Sequence, residues 1–429
     1  MREMKDSGLG YLGKIPYDWN IERIKNHLRF SPDKNPGDAV ILSLYREHGI
    51  VPKDSRDDNH NVTSEDTSNY RYVRVGDFVV NKMKAWQGSM GVSAYEGVVS
   101  PAYYVYRFTT DAFDKKYLHY LLRSKCYADE FRRLSGGIRI GQWDLPKVGF
   151  ETTYVAIPPK NEQTAIAETI GAQLKKVDAL ITNVQTQIEK LKAYKQSLIT
   201  EVVTKGLDPT VPMKDSGFDW IGTIPEHWEK LRVKYIGDTQ NGISKGGEYF
   251  GSGYPFVSYS DVYKNMELPH SVAGLVESTD VERENYSVKK GDIFFTRTSE
   301  TIEEVGFSSV CTETIEDATF AGFLIRLRPF NDAITTQYAK YYFRGEHIRR
   351  YLVKEMNLVT RASLGQGLLK AMTVLIPPKD EQIAIAGHLD GKCNQIDRLI
   401  AIKQAKIEKL EQYKRSLIYE YVTGKKEVV

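Results

Sequence analysis

The chain is written twice. Residues 4–19, MKDSGLGYLGKIPYDW, return as 213–228, MKDSGFDWIGTIPEHW, 209 residues on and with nine of sixteen positions identical. A second pair, IPPKNEQ at 157–163 and IPPKDEQ at 376–382, recurs 219 residues on. A period above 200 residues is a duplicated domain rather than a solenoid repeat, so whatever fold the first half takes, the second takes again. Between the matched ends the halves diverge. VRVGDFVVNKMKAWQG at 73–88 aligns only loosely with VKKGDIFFTRTSETIE at 288–303, sharing Gly-Asp before an apolar triplet. A kept frame with changed interiors suggests one scaffold doing one kind of job on two different targets.

After each Pro-Pro the pattern turns helical. Apolar residues fall at Ile166, Ile170, Leu174, Val177, Ile181, Val184, Ile188, Leu191, Tyr194, Leu198 and Val202, and from Ile170 to Leu191 the steps alternate four and three, the repeat of a coiled-coil seam. Asn161 suits the N-cap, and Gly206 with Pro209 closes the helix. The second copy carries Ile385, Leu389, Cys393, Ile396, Ile400, Ile407, Leu410, Tyr413, Leu417 and Tyr421, with Lys403 where Val184 stands. A seam lysine can fix register or pair with an acid on the facing helix. About 40 residues at 1.5 Å each make a rod of roughly 60 Å. The matched lengths and patterns predict an intramolecular antiparallel pair acting as a spacer between two globular domains; packing of each helix on its own domain, or between chains, is the alternative.

These signals divide the chain into a globular domain at 1–157, a central helix at 158–210, a second globular domain at 211–376 and a distal helix at 377–429. Strand patterns fall at 38–44, 77–81, 103–108 and 148–157, and again at 255–259, 292–297, 323–327 and 371–376; helical patterns fall at 115–134 and 335–355. The fold class is α+β: two globular domains separated by two long antiparallel coiled-coil helices, with an internal duplication in a pseudo-two-fold arrangement.

Composition excludes several functions. The longest apolar runs are strand-sized, the N-terminus lacks a signal-peptide apolar core, and three scattered cysteines, Cys126, Cys311 and Cys393, do not suggest a disulfide framework, which points to a soluble cytoplasmic protein. With 59 Lys+Arg against 56 Asp+Glu, any basic surface must be local. The eight histidines contain no i,i+4 pair and join no Cys/His cluster, and there is no P-loop, GxGxxG or GxSxG. The IPPK segments resemble superficially the loop in which adenine methyltransferases hold a base amine, but Ile precedes the prolines and Lys follows, so a corner leading into a helix is the better reading. No catalytic constellation stands out.

Binding chemistry does. Asn81, Lys82, Lys84, Trp86 and Gln87 in one loop, with Arg139 and Gln142 in another, combine planar hydrogen-bonding groups, cations and an aromatic; Arg297, Thr298 and Ser299, with Arg361, Ser363 and Gln366, do so in the second half. Arg reads guanine, and Asn or Gln reads adenine, through bidentate pairs in the major groove, while Lys, Ser and Thr hold phosphates. Arg123, Arg132, Arg133, Lys115, Lys116 and Lys125, and Arg344, Arg349, Arg350 and Lys354, add candidate phosphate contacts on the two helical stretches. Any one of these could be a solvated surface cation; their recurrence in matching places of both halves raises the group.

Taken together, the Ile15-Pro16…Trp19 and Ile224-Pro225…Trp228 motifs, the Gly76-Asp77 and Gly291-Asp292 strands and the paired Pro-Pro helix starts make the whole chain resemble the specificity subunit of a type I restriction-modification system. The resemblance implies that two target-recognition domains each read half of a split, asymmetric site on double-stranded DNA. It also implies that the helices set the spacing and dock two modification (methyltransferase) subunits, and that restriction (translocase and nuclease) subunits join the complex. By the same resemblance this chain is non-catalytic and binds no cofactor: S-adenosylmethionine, ATP and Mg are expected on the partner subunits, with no membrane partner and no metal here. A non-DNA coiled-coil scaffold with two protein-binding domains is the rival reading.

Overall fold

The computed structural model describes residues 2–45, 49–55, 66–137, 143–299, 305–355 and 362–428. Two compact units result, one of Met1–Gln185 with Ala405–Val429, the other of Thr186–Gln404. The long helices are Lys160–Lys205 and Lys379–Val422, so each unit holds one globular part and a stretch of both helices.

In the first unit, Leu28–Phe30, Tyr103–Phe108, Phe78–Asn81 and Met90–Val92 form an antiparallel sheet in that spatial order. In the second, Gly237–Asn241, Leu324–Pro329, Ile293–Thr296 and Ser308–Val310 repeat the order. The Gly-Asp turn starts the third strand of each sheet. Gly76 and Gly291 take φ of +90° and +92°, a region that costs side-chain-bearing residues dearly. Asp77 then accepts the Arg74 N–H at 2.9 Å and Asp292 the Lys289 N–H at 2.8 Å.

The twice-written residues have structural jobs that explain their recurrence. Asp6 accepts from the Gly8 N–H and Ser7 Oγ from the Leu9 N–H, at 2.9 and 3.1 Å; Asp215 with Gly217 and Ser216 with Phe218 repeat the turn at the same distances. The Trp19 indole N–H donates to Glu162 Oε2 at 3.1 Å, and Trp228 donates to Glu381 Oε2 at 2.9 Å. Gln163 and Gln382, each 1% exposed, are clips. Gln163 donates to the Ala112 and Pro158 carbonyls and accepts the Asp114 N–H; Gln382 donates to the Ala333 and Pro377 carbonyls and accepts the Thr335 N–H. The Pro-Pro segments are therefore corners that lock the start of a long helix to its own globular part.

Both long helices enter the core of each unit. Trp19, Phe78, Tyr106, Tyr117 and Phe131 pack with Ile166 and Ile170 of the first helix and with Leu417, Tyr421 and Val422 of the second. In the other unit Trp228, Phe295, Leu327 and Tyr338 pack with Ile199, Val202 and Val203, and with Ile385, Leu389 and Cys393. Burying a large apolar side chain contributes roughly 1.5–3 kcal/mol, so the helix ends belong to these cores. Hydroxyls fix the seating: Tyr117 donates to the Val422 carbonyl at 3.4 Å and Tyr338 to the Val203 carbonyl at 3.1 Å.

The helices also pack on each other, antiparallel. Within the second unit Lys195 meets Asp397 at 2.6 Å and Lys403 donates to Gln187 Oε1 at 2.5 Å, so partners descend along one helix as they ascend the other. In the first unit Lys414 meets Asp178 at 2.7 Å. The partner of the seam lysine Lys403 is thus an amide oxygen rather than an acid.

Three local readings need correction. Tyr194 and Tyr413 are not seam residues: they are 57% and 48% exposed. Beyond Leu191 the buried set shifts to Ile199, Val202 and Val203, because there the helix packs on the globular part as well as on the other long helix. The strand pattern at 148–157 begins as a helix, Lys147–Thr152, before the strand Tyr154–Ile157. Thr152 and Thr153, β-formers by composition, donate instead to the Val148 and Gly149 carbonyls four residues back. The helix expected over 115–134 breaks at Ser124, which sits in extended backbone and donates to the Leu121 carbonyl, and the one expected over 335–355 breaks at 343–345 into Thr336–Tyr342 and Glu346–Glu355.

His347 is 2% exposed against the Tyr342 ring, and neither ring nitrogen has a hydrogen-bond partner among the described residues. Burial pushes its pKa down to about 3. The unfolded chain therefore takes up a proton first as pH falls through the ordinary histidine range near 6.5, and stability drains between there and about 3. We expect about 2 kcal/mol of loss from this group between pH 7 and 5, read by urea denaturation at the two pH values. His347→Phe should remove that share of the slope, and an unchanged slope would refute the assignment.

Candidate nucleic-acid interface

Both units build the same junction on the exit of the third sheet strand. In the first unit the strand ends at Asn81, and Lys82 turns out of the sheet; its carbonyl accepts the Leu145 N–H at 2.9 Å. In the second the strand ends at Thr296, and the carbonyl of the next residue, Arg297, accepts the Leu364 N–H at 2.7 Å. Lys82 with Leu145 and Arg297 with Leu364 are therefore the same contact in two copies. It brings the segment after Asn81 to Leu145 and the segment after Thr296 to Leu364.

The side chains around this shared backbone contact differ. In the first unit Asn81 is 8% exposed, and its carboxamide oxygen accepts the Met83 N–H at 3.1 Å, shaping the loop. Lys82 pairs with Asp144 at 3.0 Å, and Gly136 and Asp144 bridge to each other. Trp86 donates its indole N–H to the Met83 carbonyl at 3.1 Å and lies 5.5 Å from Trp143, over which the Arg132 guanidinium sits at 5.7 Å. Lys84 is exposed and Gln87 half-buried. Trp143 and Asp144 carry no composition signal of their own; their place next to Leu145, which matches Leu364 at the same 219-residue spacing as the Pro-Pro pair, was the only pointer.

In the second unit a β-ladder replaces the tilted pair of tryptophan rings. Thr298 pairs with Ser363 and Ser299 with Ala362, so the two predicted segments meet directly. Arg297 and Thr298 are half-buried and Ser363 is exposed. Gln366 is tied down at both ends, accepting from the Thr239 hydroxyl at 3.0 Å and donating to Asn241 Oδ1 at 3.1 Å. Arg139, Gln142 and Arg361 lie outside the described residues, as does the side chain of Ser299.

Among the candidate phosphate contacts the structure separates two kinds. Arg344 is half-buried and donates to the carbonyls of Ser308, Val262, Tyr263 and Asn265 at 2.6, 3.0, 3.4 and 2.9 Å; desolvation lowers its pKa to about 10. Its guanidinium staples the start of the sheet strand Ser308–Val310 to the end of the helix Tyr259–Lys264. Arg123 and Arg349 likewise donate to carbonyls, of Met90 and Val305, and Arg133 grips Glu130 through two bonds. By contrast Arg132, Lys115, Lys116, Lys125, Arg350 and Lys354 are exposed. Among the described residues no group of three or more His, Cys, Asp or Glu is placed to hold a metal ion, and no helix is long and apolar enough to cross a membrane.

Comparison with known proteins agrees with the geometry. The model of the type I restriction modification DNA specificity domain matches residues 225–412. The chain is 25% identical, over 96% of its length and 94% of the relative's, to the type I restriction enzyme MjaVIII specificity subunit of Methanocaldococcus jannaschii. It is 24% identical to the EcoKI specificity subunit of Escherichia coli K12, over 69% of this chain and 63% of that one. In fold it is similar to a chain solved in a study of complex assembly and conformational transition in a type I restriction-modification system, at TM-score 0.69 and 15% identity, covering 95% and 98% of the two chains. It is also similar to the HsdS subunit from Thermoanaerobacter tengcongensis, at TM-score 0.51 and 16% identity over 96% and 98%.

Proposed function

The chain belongs to the type I restriction-modification specificity subunits, and from that premise we propose that each unit reads one half of a bipartite, asymmetric DNA site through its strand-exit junction. One observation carries the reading. The two units share the backbone contact between Lys82 and Leu145 or Arg297 and Leu364, yet surround it with different side chains, as one scaffold with two sequence readers requires. In this reading Lys84, Gln87 and Trp86, with Arg139 and Gln142, serve the first half-site. Arg297, Thr298, Ser299, Ser363 and Arg361 serve the second. Asn81, Lys82 and Gln366, whose polar groups are engaged within the protein, hold the loops in place.

The helices set the gap between half-sites and dock the partners. Leu399 and Ile402 in the second unit, 48% and 66% exposed, and Leu180 in the first, 48% exposed, offer apolar contact for modification subunits. Methyl transfer, cleavage, S-adenosylmethionine, ATP and Mg belong to those partners and to the restriction subunits in this proposal, and this chain supplies recognition.

The test is the salt dependence of DNA binding by the complex assembled with modification subunits, because neutralised phosphates release counterions and a protein scaffold shows no such slope. Within it, Arg139→Ala or Gln142→Ala is expected to relax discrimination at the first half-site by about 1–3 kcal/mol and leave the second untouched, and Arg361→Ala the reverse. Equal losses on every sequence would assign these residues to phosphates or to structure.

A further inference from the structure

A glycine-rich ribbon in the second unit takes no part in the junction. The strand Phe250–Val257 is exposed over its first five residues, and Gly251 and Gly253 take φ of +100° and +95°. A Cβ on Gly253 would stand 2.6 Å from the Val276 carbonyl oxygen, so only glycine lets the ribbon reach its partner strand Leu275–Val276. The ribbon displays rings. Tyr249, Phe250 and Tyr254 are 42%, 41% and 39% exposed, with Leu275 at 38% across the ladder. The rings are held in place: Phe250 meets Phe256 edge-on at 5.2 Å, and the Arg283 guanidinium lies 3.5 Å from the Tyr254 ring.

The surrounding charge decides what could cover them. Lys245 pairs with Glu282 at 2.8 Å, and Arg283 pairs with Asp280 and Asp317. Glu277 accepts from the Ser252 hydroxyl at 3.0 Å, and Glu248 adjoins Tyr249. Among these described residues five carboxylates face two cations, and three of the carboxylates are the cations' own partners, which leaves Glu248 and Glu277 and a net negative charge. Such a surface repels a DNA backbone that carries one negative charge per roughly 1.7 Å, whereas exposed aromatics at the centre of a charged rim suit a protein interface whose other side is basic.

We propose that this ribbon docks a protein subunit bearing cationic side chains around an apolar patch, and that the occupant is the modification subunit serving the half-site read by the second unit. The proposal rests on the function proposed above. To reach a base in or beside that half-site, a transferring subunit must lie against the domain that reads it, a constraint nothing places on the restriction subunits.

The experiment assembles the full chain with purified modification subunits and reads their association by titration and the ribbon's protection by hydrogen exchange, before DNA is added. The paired reversal Glu248→Lys with Glu277→Lys, and separately the triple change Tyr249→Ser, Phe250→Ser and Tyr254→Ser, should each weaken binding of one modification subunit by roughly tenfold. The ribbon should gain exchange protection on assembly in the unaltered chain, and discrimination at both half-sites, measured at saturating modification subunit, should be unchanged. Unaltered association without protection would overturn the proposal. So would loss of second half-site binding with association intact, since that assigns the ribbon to DNA. Failure of the unaltered complex to bind DNA selectively would instead strike the proposed function and leave the docking result standing.

Discussion

Inserting one heptad into each long helix is expected to abolish binding to the native site, by about 10³ or more, while three heptads in each restore it on a longer site. The insertions go between Gln185 and Thr186 and between Gln404 and Ala405, where the chain passes from one unit to the other, so the core of each unit keeps its own helix residues. A heptad leaves the seam facing its partner and adds about 10.5 Å at 1.5 Å per residue, or roughly three base pairs. Three base pairs turn the duplex by nearly a third of its repeat of about 10 base pairs, so neither the native gap nor one lengthened by three pairs brings both half-sites to the readers together. Loss of specific contact with even one half costs much of the roughly 10³–10⁷ that separates specific from non-specific binding. Three heptads add about 32 Å, close to a full turn, and the preferred gap should lengthen by about nine or ten base pairs with both half-site sequences unchanged. Binding selection from libraries with randomised gap length reads the outcome directly. An unchanged gap preference would show that the helices do not set the spacing.

That expectation leans on what the repeats made legible. The duplication predicted two equal scaffolds, and the paired sheets 28–30, 103–108, 78–81, 90–92 and 237–241, 324–329, 293–296, 308–310 have the same strand order. The seam from Val177 to Ile188 was legible because its environment is another helix of the same pattern, which rewards strict periodicity. Tyr194 and Tyr413 were misread because periodicity continues past the point where the environment changes, and a pattern cannot say what it packs against. At the junction the sequence could not say what the individual side chains touch. Gln366 and Asn81 have the composition of base readers, yet their amide groups hold Thr239, Asn241 and the Met83 N–H. A planar amide suits a base edge and a protein backbone equally, and only the surroundings choose.

Arg344→Ala is expected to destabilise the second unit by about 3–5 kcal/mol and to leave the salt slope of DNA binding where it was. The guanidinium donates to four carbonyls, of Ser308 at the start of a sheet strand and of Val262, Tyr263 and Asn265 at the end of the helix Tyr259–Lys264, and it lies over the Phe307 ring at 4.8 Å. Removing it strands buried acceptors that alanine cannot serve, each at a cost of about 1–3 kcal/mol, partly offset where water enters. Arg344→Lys should recover little of the loss, because a compact ammonium cannot span carbonyls that a planar fork reaches at once. The contrast is Lys84, exposed on the first junction: Lys84→Ala should leave the urea midpoint unchanged and reduce the slope of log K against log salt by about 0.9, one phosphate's worth. Unfolding of the full chain in urea and salt titration of the DNA complex separate the two behaviours. Were Arg344→Ala to lower the salt slope while the unfolding midpoint stayed put, the cation would be a phosphate contact after all, and burial would be a poor guide to which arginines of this surface face DNA.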